Sequence, residues 1–216
     1  MTETYLRSPE EWRAALADHA VAPDRVVETG RTGSLTLRAG SLQMHSRYNP
    51  EEEARRLVDS AELAEACAVL VVGCGLGYHV LELLARGHEV VVIEPERDIV
   101  KLAVEGPLAG ARCTIGAGPI PASDFPPALA TFMASNPHVL IHPPTAQLHR
   151  DEVDAALGDL YAGALSGKHL NVAVVGPMYG GSLPIAGYLA RAFERLGHHV
   201  HLVDHEAAWP LYEKLQ

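Results

Sequence analysis

Residues 68–72, AVLVV, form an uninterrupted apolar run that breaks into Gly73-Cys74-Gly75-Leu76-Gly77 and passes at once into Tyr78, His79 and a further apolar stretch. No other feature restricts the fold of this chain as much. Five small aliphatic residues suit a strand covered on both faces, and three alternating glycines suit a turn whose backbone takes positive φ or lets a neighbour approach closely. The apolar spacing that follows predicts a helix over about 77–86, and EVVVIE predicts a second strand over 89–94. That strand ends in Glu94, 17 residues beyond Gly77. Strand, glycine turn, helix, strand and terminal acid, in this order, place a ligand site outside the carboxyl ends of the strands.

The rest of the chain continues the alternation. Asn49 before Pro50, Glu51 and Glu52 combines a side-chain cap, a proline in the first turn and acids at the positive helix end, so a helix is predicted from there to about Ala66. Further strands are expected near 111–115, 138–142, 171–175 and 199–203, with helices at 96–104, 146–165 and 183–196. Nearly all the strands are apolar, as helices on both faces of a sheet require, so the fold class is α/β with a doubly wound, mostly parallel sheet. Residues 116–137 are rich in glycine, alanine and proline and read as a loose crossover, with a helix only within 127–135. Ahead of this domain, residues 9–20 suggest a short amphipathic helix, and the alternation between 25 and 45 around Gly30, Gly33 and Gly40 suggests an antiparallel meander. Residues 1–48 are therefore a small α+β annex, and 49–216 the main domain.

Charge and composition exclude several function classes. Seventeen basic against 27 acidic residues leave a net charge of −10 with no basic cluster, so counterion release cannot drive binding to nucleic acid or to an anionic membrane surface. No apolar stretch approaches the roughly 18–20 residues of a membrane span. The first residues are polar, without a secretory h-region, which makes the cytoplasm the expected compartment. Cys67, Cys74 and Cys113 lack CxxC spacing and read as small core residues.

Gly73, Gly75 and Gly77 are expected to leave backbone N–H groups free for an anion at the following helix end, and Glu94 to accept from both hydroxyls of a ribose. The alternative is a plain tight turn with Glu94 at a solvated strand end. A dinucleotide fingerprint needs glycine where Tyr78 stands, which speaks against a nicotinamide cofactor. The G-x-G-x-G spacing resembles motif I of class I S-adenosylmethionine-dependent methyltransferases, over about residues 60–175, and implies a Rossmann-type, methyltransferase-like fold. The chain departs from that family in having Val71 where an acid is usual, and in lacking the acid after the third strand unless Asp124 replaces it. His142-Pro143-Pro144-Thr145 stands where amino-methyltransferases carry their N/D-P-P-Y/W motif. It reads either as a rigid turn or as a turn that aims His142 at the ligand.

A longer match joins HSRYNPEEEARRL (45–57), VLVVGCGLGYHVLELL (69–84) and VVVIEPE (90–96). Together they resemble the motility-accessory-factor group of flagellin glycosyltransferase-like proteins, which takes in archaeal 6-hydroxymethylpterin diphosphokinases. Ser46, Arg47, Tyr48 and Pro50 carry the first part of the resemblance, Gly77, Tyr78 and His79 the second, and Glu94 the third. It implies a methyltransferase-like fold that binds a nucleotide, a nucleotide-sugar or ATP without necessarily methylating. Tyr78 would then pack on a base or ribose and His79 would donate to a phosphate. In the competing reading Tyr78 packs under the annex and His79 faces solvent.

Residues 171–204 repeat the strand, glycine-rich loop, helix, strand order, with Ser182 as cap, Pro184 in the first turn and Asp204 at the strand end. This part resembles the opening unit of spore-maturation-type glycosyltransferases. It is expected either to complete the same sheet, the preferred reading, or to begin a second domain, and 206–216 reads as a helix. Either way a fused or associated glycosyltransferase domain is implied as partner. His198, His199, His201 and His205 lack a completing acid or cysteine at ligand spacing apart from Asp204, so no metal is assigned. Three functions remain open: group transfer from an activated nucleotide donor, S-adenosylmethionine-dependent methylation, and a non-catalytic scaffold. Replacing Glu94 with alanine is expected to separate them, weakening any nucleoside binder and leaving a scaffold's stability untouched.

Overall fold

A computed structural model describes residues 5–119, 126–165, 169–176 and 185–204. The chain divides into two units, residues 1–164 and 165–216.

The first unit opens with β1 (Leu6–Arg7) and α1 (Pro9–Ala15). Ser8 and Glu11 cap α1 reciprocally, the Ser8 hydroxyl accepting from the Glu11 N–H at 3.3 Å and the Glu11 carboxylate from the Ser8 N–H at 2.7 Å. Buried Trp12 fastens the helix by donating from Nε1 to the Ile115 carbonyl at 2.7 Å. The helix is shorter than the sequence suggests, because Lys101 Nζ takes the carbonyls of Leu16 and Ala17. The expected meander follows as β2 (Arg25–Thr29), β3 (Leu35–Ala39) and β4 (Leu42–Gln43), an antiparallel sheet of its own.

The helix α2 (Pro50–Ser60) starts where Asn49 Oδ1 accepts the Glu52 N–H at 3.0 Å. It stops six residues before Ala66: the Ser60 hydroxyl takes the Leu57 carbonyl, and Glu62 turns left-handed at φ +48°. Then come β5 (Ala68–Val72), α3 (Tyr78–Ala85), β6 (Glu89–Glu94), α4 (Arg97–Glu105), β7 (Thr114–Ala117), α5 (Pro127–Ala134), β8 (His138–Ile141), α6 (Pro143–Leu148) and α7 (Arg150–Leu165). The single helix expected over 146–165 is broken at His149, whose ring leaves the helix line to meet Glu96 at 2.8 Å. Glu96 is also held in a fork by Arg25 at 2.6 and 3.0 Å, which ties the annex to the end of β6.

The central sheet runs β1-β7-β6-β5-β8, with β7, β6, β5 and β8 parallel and β1 antiparallel on the edge. Its strands are apolar because both faces are covered. Val69 and Val71 join a core with Leu83, Ile99 and Leu108, while Leu70 and Val72 point the other way, into a core with Leu129, Phe132 and Leu160. The sheet order turns back between β5 and β8, and a crevice outside the carboxyl ends of two such strands is where α/β folds hold ligands.

In the second unit β9 (Asn171–Gly176), α8 (Ile185–Arg195) and β10 (His199–Asp204) surround a small core of Val174, Ala186 and Ala190. Here β9 and β10 pair in parallel with each other in a two-stranded sheet. His199 and His201 are exposed. Ser182, Pro184, His205, the helix expected over 206–216 and Asp124 lie outside the described residues. Among the described residues no helix is long and apolar enough to cross a membrane.

Candidate functional site

The glycine turn leaves β5 by extending its ladder one step, with the Gly73 N–H donating to the Ile93 carbonyl at 2.8 Å. Gly73, Gly75 and Gly77 then take φ of +86°, +50° and +91°, a region open to glycine at little cost. The same three positions are also filled from outside. A Cβ at Gly73 would overlap the Thr145 side chain, at Gly75 the His45 imidazole, and at Gly77 the Leu108 side chain. Alanine at Gly77 therefore meets both a forbidden φ and a packed leucine. The Gly77→Ala variant is expected to unfold about 2–4 kcal/mol more easily, measured as a lower urea midpoint at unchanged m-value.

Two of the N–H groups that the sequence left free for an anion are already engaged. The Cys74 N–H donates to Glu94 Oε2 at 2.8 Å, and the Leu76 N–H donates to His45 Nε2 at 2.7 Å. Glu94 Oε1 accepts the Glu96 N–H at 3.2 Å, and the residue is fully buried rather than standing at a solvated strand end. Burial pushes its carboxyl up to about 7, against the pull of these two N–H donors. In this geometry Glu94 braces the turn from within. Its oxygens face the protein's own backbone where the sequence placed a ribose.

Tyr78 also belongs to the protein. Its hydroxyl donates to the Leu35 carbonyl of β3 at 2.7 Å, so the ring sits under the annex. His79, expected either on a phosphate or in solvent, is buried: Nε2 donates to the Gly73 carbonyl at 3.0 Å and the ring stacks on His142, centroids 4.8 Å apart and planes 10° from parallel. His142 stands at the end of β8, where Nδ1 and Thr145 Oγ1 share a hydrogen bond of 2.9 Å. His45 completes a trio, 5.3 Å from His142 and edge-on to Tyr78 at 5.4 Å. Burial holds all three imidazoles neutral, pushing His45 down to about 3, His79 to about 4 and His142 well below its ordinary value.

The trio forms one wall of a cleft of about 230 Å³ at the reversal point between β5 and β8. Pro50, Glu53, Ala54 and Leu57 of α2 form the opposite wall, and Pro143 and Pro144 close the end. Of the residues the sequence nominated, His79 and His142 line this cleft; the three glycines, Tyr78 and Glu94 build the scaffold behind it. The sequence reading passed over His45, Glu53 and Thr145. The signal for His45 lay in its place immediately before Ser46-Arg47-Tyr48, inside the stretch that carried the family resemblance.

No protein-family model matches the chain. It is similar to an uncharacterized protein from Treponema pallidum (strain Nichols), 37% identical over 82 residues. The match covers 35% of this chain and 28% of the relative's length.

Proposed function

We propose that the chain is a nucleotide- or nucleoside-binding domain of Rossmann-type, methyltransferase-like fold in a glycosyltransferase-related cytoplasmic protein. It takes its ligand in the cleft between β5 and β8 and supports group transfer from an activated nucleotide donor. The observation that carries this reading is convergence. The Ser46–Pro50 segment with its preceding His45, the glycine turn with its Tyr-His, and the His-Pro-Pro-Thr turn all meet at one crevice, although the first two are joined by a contact 31 residues apart in sequence. Catalysis in such a site would rest on positioning and on fixed dipoles, since no nucleophile with a partnered base lines the cleft among the described residues.

S-adenosylmethionine is less well served. Val71 is fully buried in the core where the methionine amine would need an acid, and Glu94 is committed to the turn. The scaffold reading keeps one specific observation in its favour, namely that the protein's own side chains fill the space beside all three glycines.

Thermal unfolding of the chain with CMP, UDP, UDP-sugars, ATP and S-adenosylhomocysteine tests the proposal. A ligand at about 100 times its dissociation constant adds roughly 2.7 kcal/mol, a rise of about 5–10 °C in Tm. A rise with nucleotides supports the reading, and one with S-adenosylhomocysteine alone restores the methyltransferase. No shift with any compound leaves the scaffold.

A further inference from the structure

The hydrogen bonds that hold the histidine trio in place also decide which ring atoms are left over. The Leu76 N–H can only donate, so His45 Nε2 accepts it and the proton of the neutral ring sits on Nδ1. The Gly73 carbonyl can only accept, so His79 Nε2 carries the proton and Nδ1 keeps a free lone pair. Neither Nδ1 atom has a partner among the described residues, yet every side-chain nitrogen or oxygen sealed from solvent there has one. Both atoms therefore keep access to solvent, and both rings line the cleft. Each ring is otherwise buried, at 3% and 1% exposure, so the same apolar, preformed wall carries one donor and one acceptor, with the His142 ring packed against both.

The remaining lining narrows the ligand. Pro50, Ala54, Leu57, Pro143 and Pro144 offer flat apolar surface and no hydrogen-bond donor. Among the described residues Glu53 is the one acidic group of the lining, with Oε2 already accepting the Ser46 N–H at 2.7 Å, and no lysine or arginine lines the cleft. A phosphate would find no counter-charge here. The neutrality of the three imidazoles points the same way. At about 230 Å³ the space lies below the roughly 300 Å³ lower bound of drug-sized sites and suits a single planar ring system with part of a sugar.

Resting on the nucleotide-binding reading, we infer that this cleft holds the nucleobase of the ligand. A hydrogen-bond donor of the base meets His79 Nδ1, and an acceptor of the ligand takes the His45 Nδ1 proton. The phosphates point out of the cleft. This places the base between β5 and β8 and away from Glu94, whose carboxylate is occupied.

Calorimetric titration of the whole chain with uridine, cytidine and adenosine, alone and as monophosphates, tests the inference. At least one nucleoside is expected to bind within about threefold of its monophosphate. Its counterpart methylated at the donor (3-methyluridine, N4,N4-dimethylcytidine or N6,N6-dimethyladenosine) is expected to bind at least tenfold more weakly, because a buried acceptor is left unpaired. Ala54→Leu, or Leu57→Phe should the first variant fold poorly, fills the cleft without touching the histidine hydrogen bonds. Either is expected to cost at least tenfold in nucleoside affinity with no fall in Tm. Methylated nucleosides that bind as well as the parents, or a filled cleft that binds like the wild type, overturn the inference while leaving a nucleotide-binding domain with its base elsewhere. If no nucleoside or monophosphate binds, both readings fall.

Discussion

Glu94→Ala unfolds about 2–4 kcal/mol more easily than the wild type, with or without nucleotide present. The side chain accepts the N–H groups of Cys74 and Glu96, and both lose their partner, the first in a fully buried place and the second in a half-buried one. Each orphaned buried donor costs roughly 1–3 kcal/mol, and removing a carboxylate that burial already strains returns a part of that sum. Urea denaturation at pH 6 measures the loss, and amide exchange at Cys74 locates it, since the turn should open before the core. A change below about 0.5 kcal/mol with unaltered Cys74 exchange would show that the carboxylate does not hold the turn. The result also corrects the use that the sequence suggested for this substitution. A scaffold and a nucleoside binder both lose stability when Glu94 is removed, so the variant cannot separate them; the cleft-filling change at Ala54 can.

The parts of the fold legible in the sequence are those whose cause is local. The strands β5 and β6 were readable to the residue because an apolar run ended against a glycine in one and an acid in the other, and α2 began where Asn49 and Pro50 said it would. Elements fixed by distant partners were not readable. The two residues of β1 carry no alternation and exist as a strand only because Leu6 and Arg7 meet the free edge of β7 at Gly116 and Ile115. The break at His149 depends on Glu96, 53 residues earlier.

The site follows the same division. Its position at the strand ends was written in the glycines, but their role was only half visible. A glycine that admits a ligand and a glycine that admits Thr145, His45 or Leu108 look alike in sequence, and the difference lies in what the fold brings against them. Likewise Glu94 at the end of an apolar strand reads as a group facing outward until β5, β7 and the turn enclose it.

The same enclosure makes the protein acid-labile in a defined window. His45, His79 and His142 are neutral in the folded state well below their ordinary value of 6.5, so around pH 5 the unfolded chain binds about three more protons at these rings than the folded one, a difference that halves by about pH 6.5. Glu94 works in the opposite sense. Its folded value of about 7 lies above the ordinary 4.5, so in the same window the folded state holds about one proton that the unfolded state has lost. The balance is about two protons taken up on unfolding, which gives a rise in stability of roughly 2.7 kcal/mol per pH unit between pH 5 and 6. Near pH 6.5 the unfolded rings are still about half protonated while folded Glu94 begins to lose its proton, so the slope shrinks and stability should level off towards about pH 7.5. The lowered carboxyl of Asp98 acts mainly below pH 4 and leaves this window untouched. Urea midpoints at half-unit steps from pH 5 to 7.5 trace the curve. A flat profile between pH 5 and 6 would mean that the three rings accept protons without unfolding, in a cleft wet enough to solvate them. A nucleobase held there through neutral imidazoles would then lose its basis along with the predicted slope.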